Sequence, residues 1–153
     1  MITQLVTTLR AAADRIPESA VLLVARIGVG SVFWRSGRTR VSGLHLRDET
    51  FVLFREEYKV PLLPPDLAAY LTTVAEHVLP VLLVVGFATR LSALGLLGMT
   101  AVIEIFIYPS GWPEHILWAG LLLNILCRGP GALSLDHWLW RDRGRPVMVP
   151  QLS

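Results

Sequence analysis

Cysteine and lysine are almost absent from this chain. Among 153 residues there is one cysteine, Cys127, and one lysine, Lys59, against thirteen arginines. A lone cysteine cannot close an internal disulfide or supply the C-x-x-C pair of dithiol chemistry, so thiol–disulfide exchange within this chain is excluded. Cys127 is expected to act as a small hydrophobe at a helix end. No basic run is interleaved with stacking aromatics, which argues against nucleic-acid binding. The arginines instead sit at the ends of apolar segments, where a stem can lie along lipid while the guanidinium stays in water. Residues 1–16, MITQLVTTLRAAADRI, lack the basic stretch and continuous apolar core of a cleavable signal. Ser/His/Asp catalysis has no motif, and His45, His77, His115 and His137 lack the i, i+4 pairing of a metal-binding helix. Metal: none is therefore the expectation, with only Glu104 and His115 placed to converge.

What the chain has in excess is apolar length. Hydrophobic residues make up 53% of it and the mean hydropathy is +0.53, high for one domain of this size. Four segments read as membrane spans, at about 19–35, 67–87, 91–109 and 113–127. They are apolar on nearly all sides, where a soluble helix would keep a polar face. The first and last are short against the ~20 residues a crossing needs. The expected fold class is all-α: a four-helix transmembrane bundle over 19–127 with short interfacial amphipathic helices. Ile2, Leu5, Val6, Leu9 and Ile16 recur at helical spacing, predicting an amphipathic helix over 1–16 that lies on the membrane. The loop over 35–66 is expected to hold a second short helix near 49–59, stopped by Pro61, Pro64 and Pro65. Beyond Gly129-Pro130-Gly131 the tail, 128–153, reads as interfacial.

An even number of spans puts both termini on one side. That side carries Arg10, Arg15, Arg90, Arg128, Arg141, Arg143 and Arg145. The other carries Arg38, Arg40, Arg47, Arg55 and Lys59 among five acids. The balance favours cytoplasmic termini in a bacterial-type plasma membrane. Trp34, Tyr70, Tyr108 and Trp112 are expected to form one aromatic belt, Trp138 and Trp140 the other.

An ionisable group inside a span costs ~2.5–3.5 kcal/mol on insertion scales, so it is normally paired or faces a cavity. Here Arg26 lies in the first span, Glu76 and His77 in the second, Glu104 in the third and His115 near one end of the fourth. Glu76 is placed near the midplane, with Arg26 below and Glu104 above, which predicts one column across adjacent helices. That column is either an intramembrane pocket with a proton relay or a buried ion pair that fixes helix packing. Gly30, and Gly98 with Ala101, offer surfaces for close packing. Pro80 removes the amide partner of the Glu76 carbonyl and predicts a kink. His77 points ~100° away from Glu76 and reads as a packing or hydrogen-bonding residue.

Several stretches together resemble the DoxX family of small four-span membrane proteins. These are Arg26 followed by Gly28 and Gly30, the segment LFREEYKVPLLPPDLAAYLTTVAE, the segment LVVGFATRLSALGLLGMT, and the closing GPGALSLDHWL. The resemblance covers about 20–140. Its most specific pieces are Glu76 followed by Gly86, Thr89 and Arg90, and the Gly-Pro-Gly…Ser-Leu-Asp stretch at 129–136. The chain departs from the family at His77 and Pro80, where glycines are usual, and at SGRTR, where a lysine is. The resemblance implies a membrane subunit of a redox system, with quinone as its small molecule. Electrons would come from a protein partner, because no flavin, haem or iron–sulfur motif is present. The lipid bilayer is the other partner; self-association stays open. Whether this chain is itself an enzyme also stays open, beside a non-enzymatic anchor or small-solute conduit, or a metal-handling subunit.

Overall fold

A computed structural model of the chain describes residues 1–140. The expected tail beyond Trp140, with Arg141, Arg143 and Arg145, lies outside the described residues. The elements run α1 (Ile2–Ala13), α2 (Glu18–Thr39), a small hairpin of β1 (Val41–Ser42) and β2 (His45–Leu46), α3 (Asp48–Leu53), α4 (Pro65–Val85), α5 (Thr89–Val102), α6 (Trp112–Arg128) and α7 (Leu135–Trp140). Two helices end in a wider, π-helical turn: α3 continues through Phe54–Tyr58 and α5 through Ile103–Ile107. The described residues are all-α apart from that hairpin, which sequence periodicity did not predict.

The local signals explain the boundaries. Pro65 opens α4 at a position where its missing N–H is not needed. Gly86 closes α4 in a left-handed conformation, φ +79°, and its N–H bonds back to Leu82. The helix runs from Pro65 to Val85 straight through Pro80. α2 continues well past the expected end at Arg35, to Thr39, so the first long helix is not short after all. Within the long loop, α3 and its π-helical turn occupy residues 48–58.

Among the described residues, three helical stretches are long and apolar enough to cross a membrane: Glu18–Thr39, Pro65–Val85 and Thr89–Ile107. α6, at 17 residues, is shorter. α2 packs chiefly on α4, and α5 on α6, while α4–α5 and α2–α6 contacts close the ring. Ala25, Val29, Phe33, Leu83, Ala93, Leu96, Leu122 and Ile125 fill its centre. A second cluster, Phe54, Ala68 and Ala69, seats the 48–58 segment on the first turns of α4. The long loop is therefore a cap on one end of the bundle. No residue of α1 is buried among the described residues.

The register between α2 and α4 sets everything that follows. Gly37 lies against Glu76 and His77; a Cβ there would stand 2.9 Å from the His77 ring and 3.0 Å from the Glu76 Cβ. Gly30 lies against Pro80 and Val84, and Arg26 against Gly86. Small residues at these crossings allow the backbones to approach. Arg26 and Glu76 consequently sit about ten residues of α4 apart, ~15 Å along its axis.

Candidate functional site

A cavity of about 680 Å³ opens inside the capped end of the bundle. Phe33 and Ser36 of α2, Thr72 and Glu76 of α4, Gly98 and Met99 of α5, and His115 and Trp118 of α6 line it. The cap adds Phe54, Tyr58, Val60 and Leu63, and the α5–α6 turn adds Tyr108, Ser110 and Gly111. Both π-helical turns contribute to its wall, through Phe54 and Tyr58 on one side and Ile103 and Ile107 on the other. Such turns redirect side chains within a helix and are frequent at functional sites. Gly98 was expected to mediate close helix packing. Instead a Cβ there would meet nothing within 4 Å, so its missing side chain is part of the cavity's volume.

Glu76 is 1% exposed and is paired, but with Arg40, not Arg26. Arg40 Nε donates to Glu76 Oε2 at 2.6 Å and Nη2 to Oε1 at 3.1 Å, a fork-on-fork geometry; Ser36 Oγ adds a third hydrogen bond at 3.1 Å. The guanidinium also lies over Phe54 and Tyr58, 5.2 and 5.5 Å from their ring centroids. A bidentate pair of this kind fixes Arg40 at the cavity wall. Sequence reasoning assigned Arg40 to the long loop over 35–66 and gave it no partner. The signal that finds it is the stripe Arg26, Gly30, Phe33, Gly37, Arg40, spaced four, three, four and three: once α2 extends past Arg35, Arg40 falls on the buried face.

Glu104 and His115 do come together, with His115 Nδ1 2.6 Å from Glu104 Oε2. They stand apart from the Arg40–Glu76 pair, on α6 and the π-helical turn, and Arg26 from both, so the expected single column divides into three polar groups. His115 is buried and Glu104 half-buried; the imidazole packs on Trp118 at 4.9 Å between centroids. His77 is outside the cavity. Its Nδ1 lies 2.7 Å from the Thr73 carbonyl and its ring meets Trp34 edge-on at 5.2 Å, a packing role.

Arg26 serves the opposite end. Fully buried, it donates through Nη1 to the Leu83 and Val84 carbonyls at 3.3 and 3.2 Å and through Nη2 to the Leu133 carbonyl. It thereby satisfies carbonyls that the end of α4 leaves without helical partners. Asp136 completes this joint: its carboxylate accepts from Ala88 N–H, Thr89 N–H and Thr89 Oγ1 at 2.9, 2.8 and 2.8 Å, and its own N–H donates to the Gly86 carbonyl at 2.8 Å. The Gly86…Thr89 and Ser134…Asp136 stretches are thus one structural unit that caps α5 and ties α7 to the bundle. Asp136→Ala is expected to lower stability by about 1–2 kcal/mol, the usual cost of a lost N-cap. Chemical unfolding of the purified protein would measure it, and Asp136→Asn should recover much of the loss.

The cap is latched across the cavity mouth. Tyr108 hydroxyl donates to the Glu57 carboxylate, and the Tyr58 and Tyr108 rings meet edge-on at 5.8 Å. That hydrogen bond, with partial burial, holds the Tyr108 phenol well above its ordinary range, so it stays protonated. The Arg55–Asp66 pair is exposed on both sides and contributes little. Among the described residues no group of three or more metal-ligating side chains occurs.

The DoxX family model matches residues 21–109. That interval holds α2, the cap, α4, and α5 with its π-helical turn, and hence most of the cavity wall; His115 and Trp118 follow it. No curated protein and no solved structure matches the chain.

Proposed function

The chain belongs to the DoxX family, and on that premise we propose that it is an integral membrane subunit of a redox system that holds a quinone-type, lipid-soluble molecule in the capped cavity. The observation that carries this reading is an apolar cavity of about 680 Å³ with a buried, bidentate Arg40–Glu76 pair in its wall. Its volume falls within the ~300–1,000 Å³ common for small-molecule sites, and few but fixed polar groups among apolar and aromatic side chains are their usual lining. The polar groups lie on two walls, Arg40 with Ser36 and Glu76 on α2 and α4, and His115 on α6. That suits a head group with oxygens on opposite edges of a ring.

A quinone, when bound, supplies two-electron, two-proton chemistry; the electrons come from a partner protein. The chain's own residues bind, orient and exclude water. Arg40 offers a fixed positive charge and its remaining N–H groups, Phe54, Tyr58 and Trp118 offer ring faces, and the Tyr108–Glu57 latch holds the cap over the mouth. We place α6 as a fourth span beside the three longer helices, which leaves both termini on the cytoplasmic side of the plasma membrane and the cap on the outer side. α1, with Ile2, Leu5, Val6 and Leu9 exposed among the described residues, lies along the inner leaflet.

Filling the cavity tests the reading without disturbing its walls. Because a side chain at Gly98 meets open space, Gly98→Leu should fold normally yet weaken quinone binding by at least about tenfold. The measurement is quinone titration of the protein in lipid nanodiscs, with native mass spectrometry to detect retained molecules. Equal binding by Gly98→Leu and wild type would rule the cavity out as the site.

A further inference from the structure

The histidine on the far wall has a feature that the Arg40–Glu76 pair lacks: an uncommitted acceptor. As a carboxylate Glu104 can only accept at Oε2, and the ring nitrogen 2.6 Å away, His115 Nδ1, then carries the proton. In a neutral imidazole the lone pair then lies on Nε2, the arrangement a carboxylate commonly imposes on a functional histidine. The ring is held in place. Trp118 packs on it, and Gly111 lies so close that a Cβ there would stand 2.7 Å from Cε1 and 3.1 Å from Nε2. Both neighbours line the same cavity as His115. Nε2 makes no hydrogen bond to any described residue, and it is not among the sealed polar atoms.

The carboxylates near the cavity are engaged or exposed, and its hydroxyls, of Ser36, Thr72 and Tyr58, can donate as well as accept. Both oxygens of Glu76 receive hydrogen bonds, from Arg40 and Ser36. Glu57 receives the Tyr108 hydroxyl. Glu114 is exposed at the rim. The wall therefore offers donors around Arg40, hydroxyls that can turn either way, and opposite them at His115 a ring nitrogen that as a neutral acceptor cannot also donate.

We infer that His115 Nε2, oriented by Glu104, is the acceptor that selects a ligand head bearing a hydroxyl, a phenol or hydroquinone, over the same head bearing only ether or carbonyl oxygens. This rests on the reading that the cavity takes a quinone-type molecule and adds which redox form it holds more tightly. A neutral acceptor gains a hydrogen bond from a hydroxyl and faces an unfavourable lone-pair contact with a carbonyl or ether oxygen. Glu104 acts through His115 as a positioning residue: Glu104→Gln, whose amide oxygen still accepts from Nδ1–H, should keep the selectivity, whereas Glu104→Leu should lose it.

The test uses the full chain in nanodiscs under anaerobic conditions at about pH 8, well above the ordinary histidine range of ~6.5. The probes are an alkyl hydroquinone, its quinone and its dimethyl ether with the same tail. Wild type should bind the hydroquinone about tenfold more tightly than either of the others. His115→Phe, which keeps a ring against Trp118, should bind all three alike. Independently, ¹⁵N NMR of histidine-labelled protein should show His115 as the Nδ1–H tautomer, assigned by elimination from the signals lost in His45→Gln, His77→Gln and His137→Gln. An Nε2–H tautomer or an imidazolium would overturn the assignment even if His115→Phe failed to fold. So would equal binding of all three probes to wild type, which would leave the cavity reading standing. If none of the three binds, the cavity reading falls and this inference with it.

Discussion

Glu76→Ala is expected to destabilise the bundle by about 3–5 kcal/mol, because it leaves the Arg40 guanidinium buried and unpaired. The substitution removes the acceptors of two Arg40 hydrogen bonds and of the Ser36 hydroxyl together. Arg40→Met is expected to cost a similar amount, for the mirrored reason. Removing both charges, as Arg40→Met with Glu76→Leu, should cost far less than the sum, since no buried charge is left over and methionine can still pack on Phe54 and Tyr58. Unfolding of the four proteins in one detergent, followed by helicity, gives the double-mutant cycle. Strict additivity would mean that the pair carries no stability. The same double variant should lose quinone binding even where stability recovers, which separates the pair's ligand role from its packing role.

Arg26→Ala is expected to cost several kcal/mol, at the other end of the molecule and by another mechanism. Three carbonyls lose their donor, that of Leu83 buried and those of Val84 and Leu133 partly buried, and an unmet buried group costs ~1–3 kcal/mol. Arg26→Lys should recover only a minor part, because a single ammonium cannot span acceptors on both α4 and the segment before α7. Combined with Glu76→Ala, the losses should simply add, since the two sites lie ~15 Å apart along α4. Partial rescue in that combination would show Arg26 and Glu76 to be partners and would sink the register described here.

The sequence marked Arg26 and Glu76 as buried charges in need of partners, and each has them. It paired them with each other because both read as near-midplane groups of opposite sign. Two quantities invisible to residue spacing decided otherwise. One is the length of α2, which carries Arg40 onto the buried stripe. The other is the α2–α4 register, set by where Gly30 and Gly37 let the helices touch. His115 and Glu104 were recognisable as a pair because only a short turn separates their helices. Tyr58, Tyr108 and Ser36 were not, since nothing local distinguishes a cavity wall from a surface.

By itself, then, the sequence determined the class of the protein: long apolar segments broken by proline and glycine, with arginine at their ends, can satisfy their backbone only as helices in lipid. It also determined the family, through the residues that join α4, α5 and α7. Only the tertiary structure decided which charges pair, and that a cavity exists at all. Pairing depends on where antiparallel helices stop and cross, and a cavity is the space left when π-helical turns and a glycine wall withhold the side chains that would have filled it.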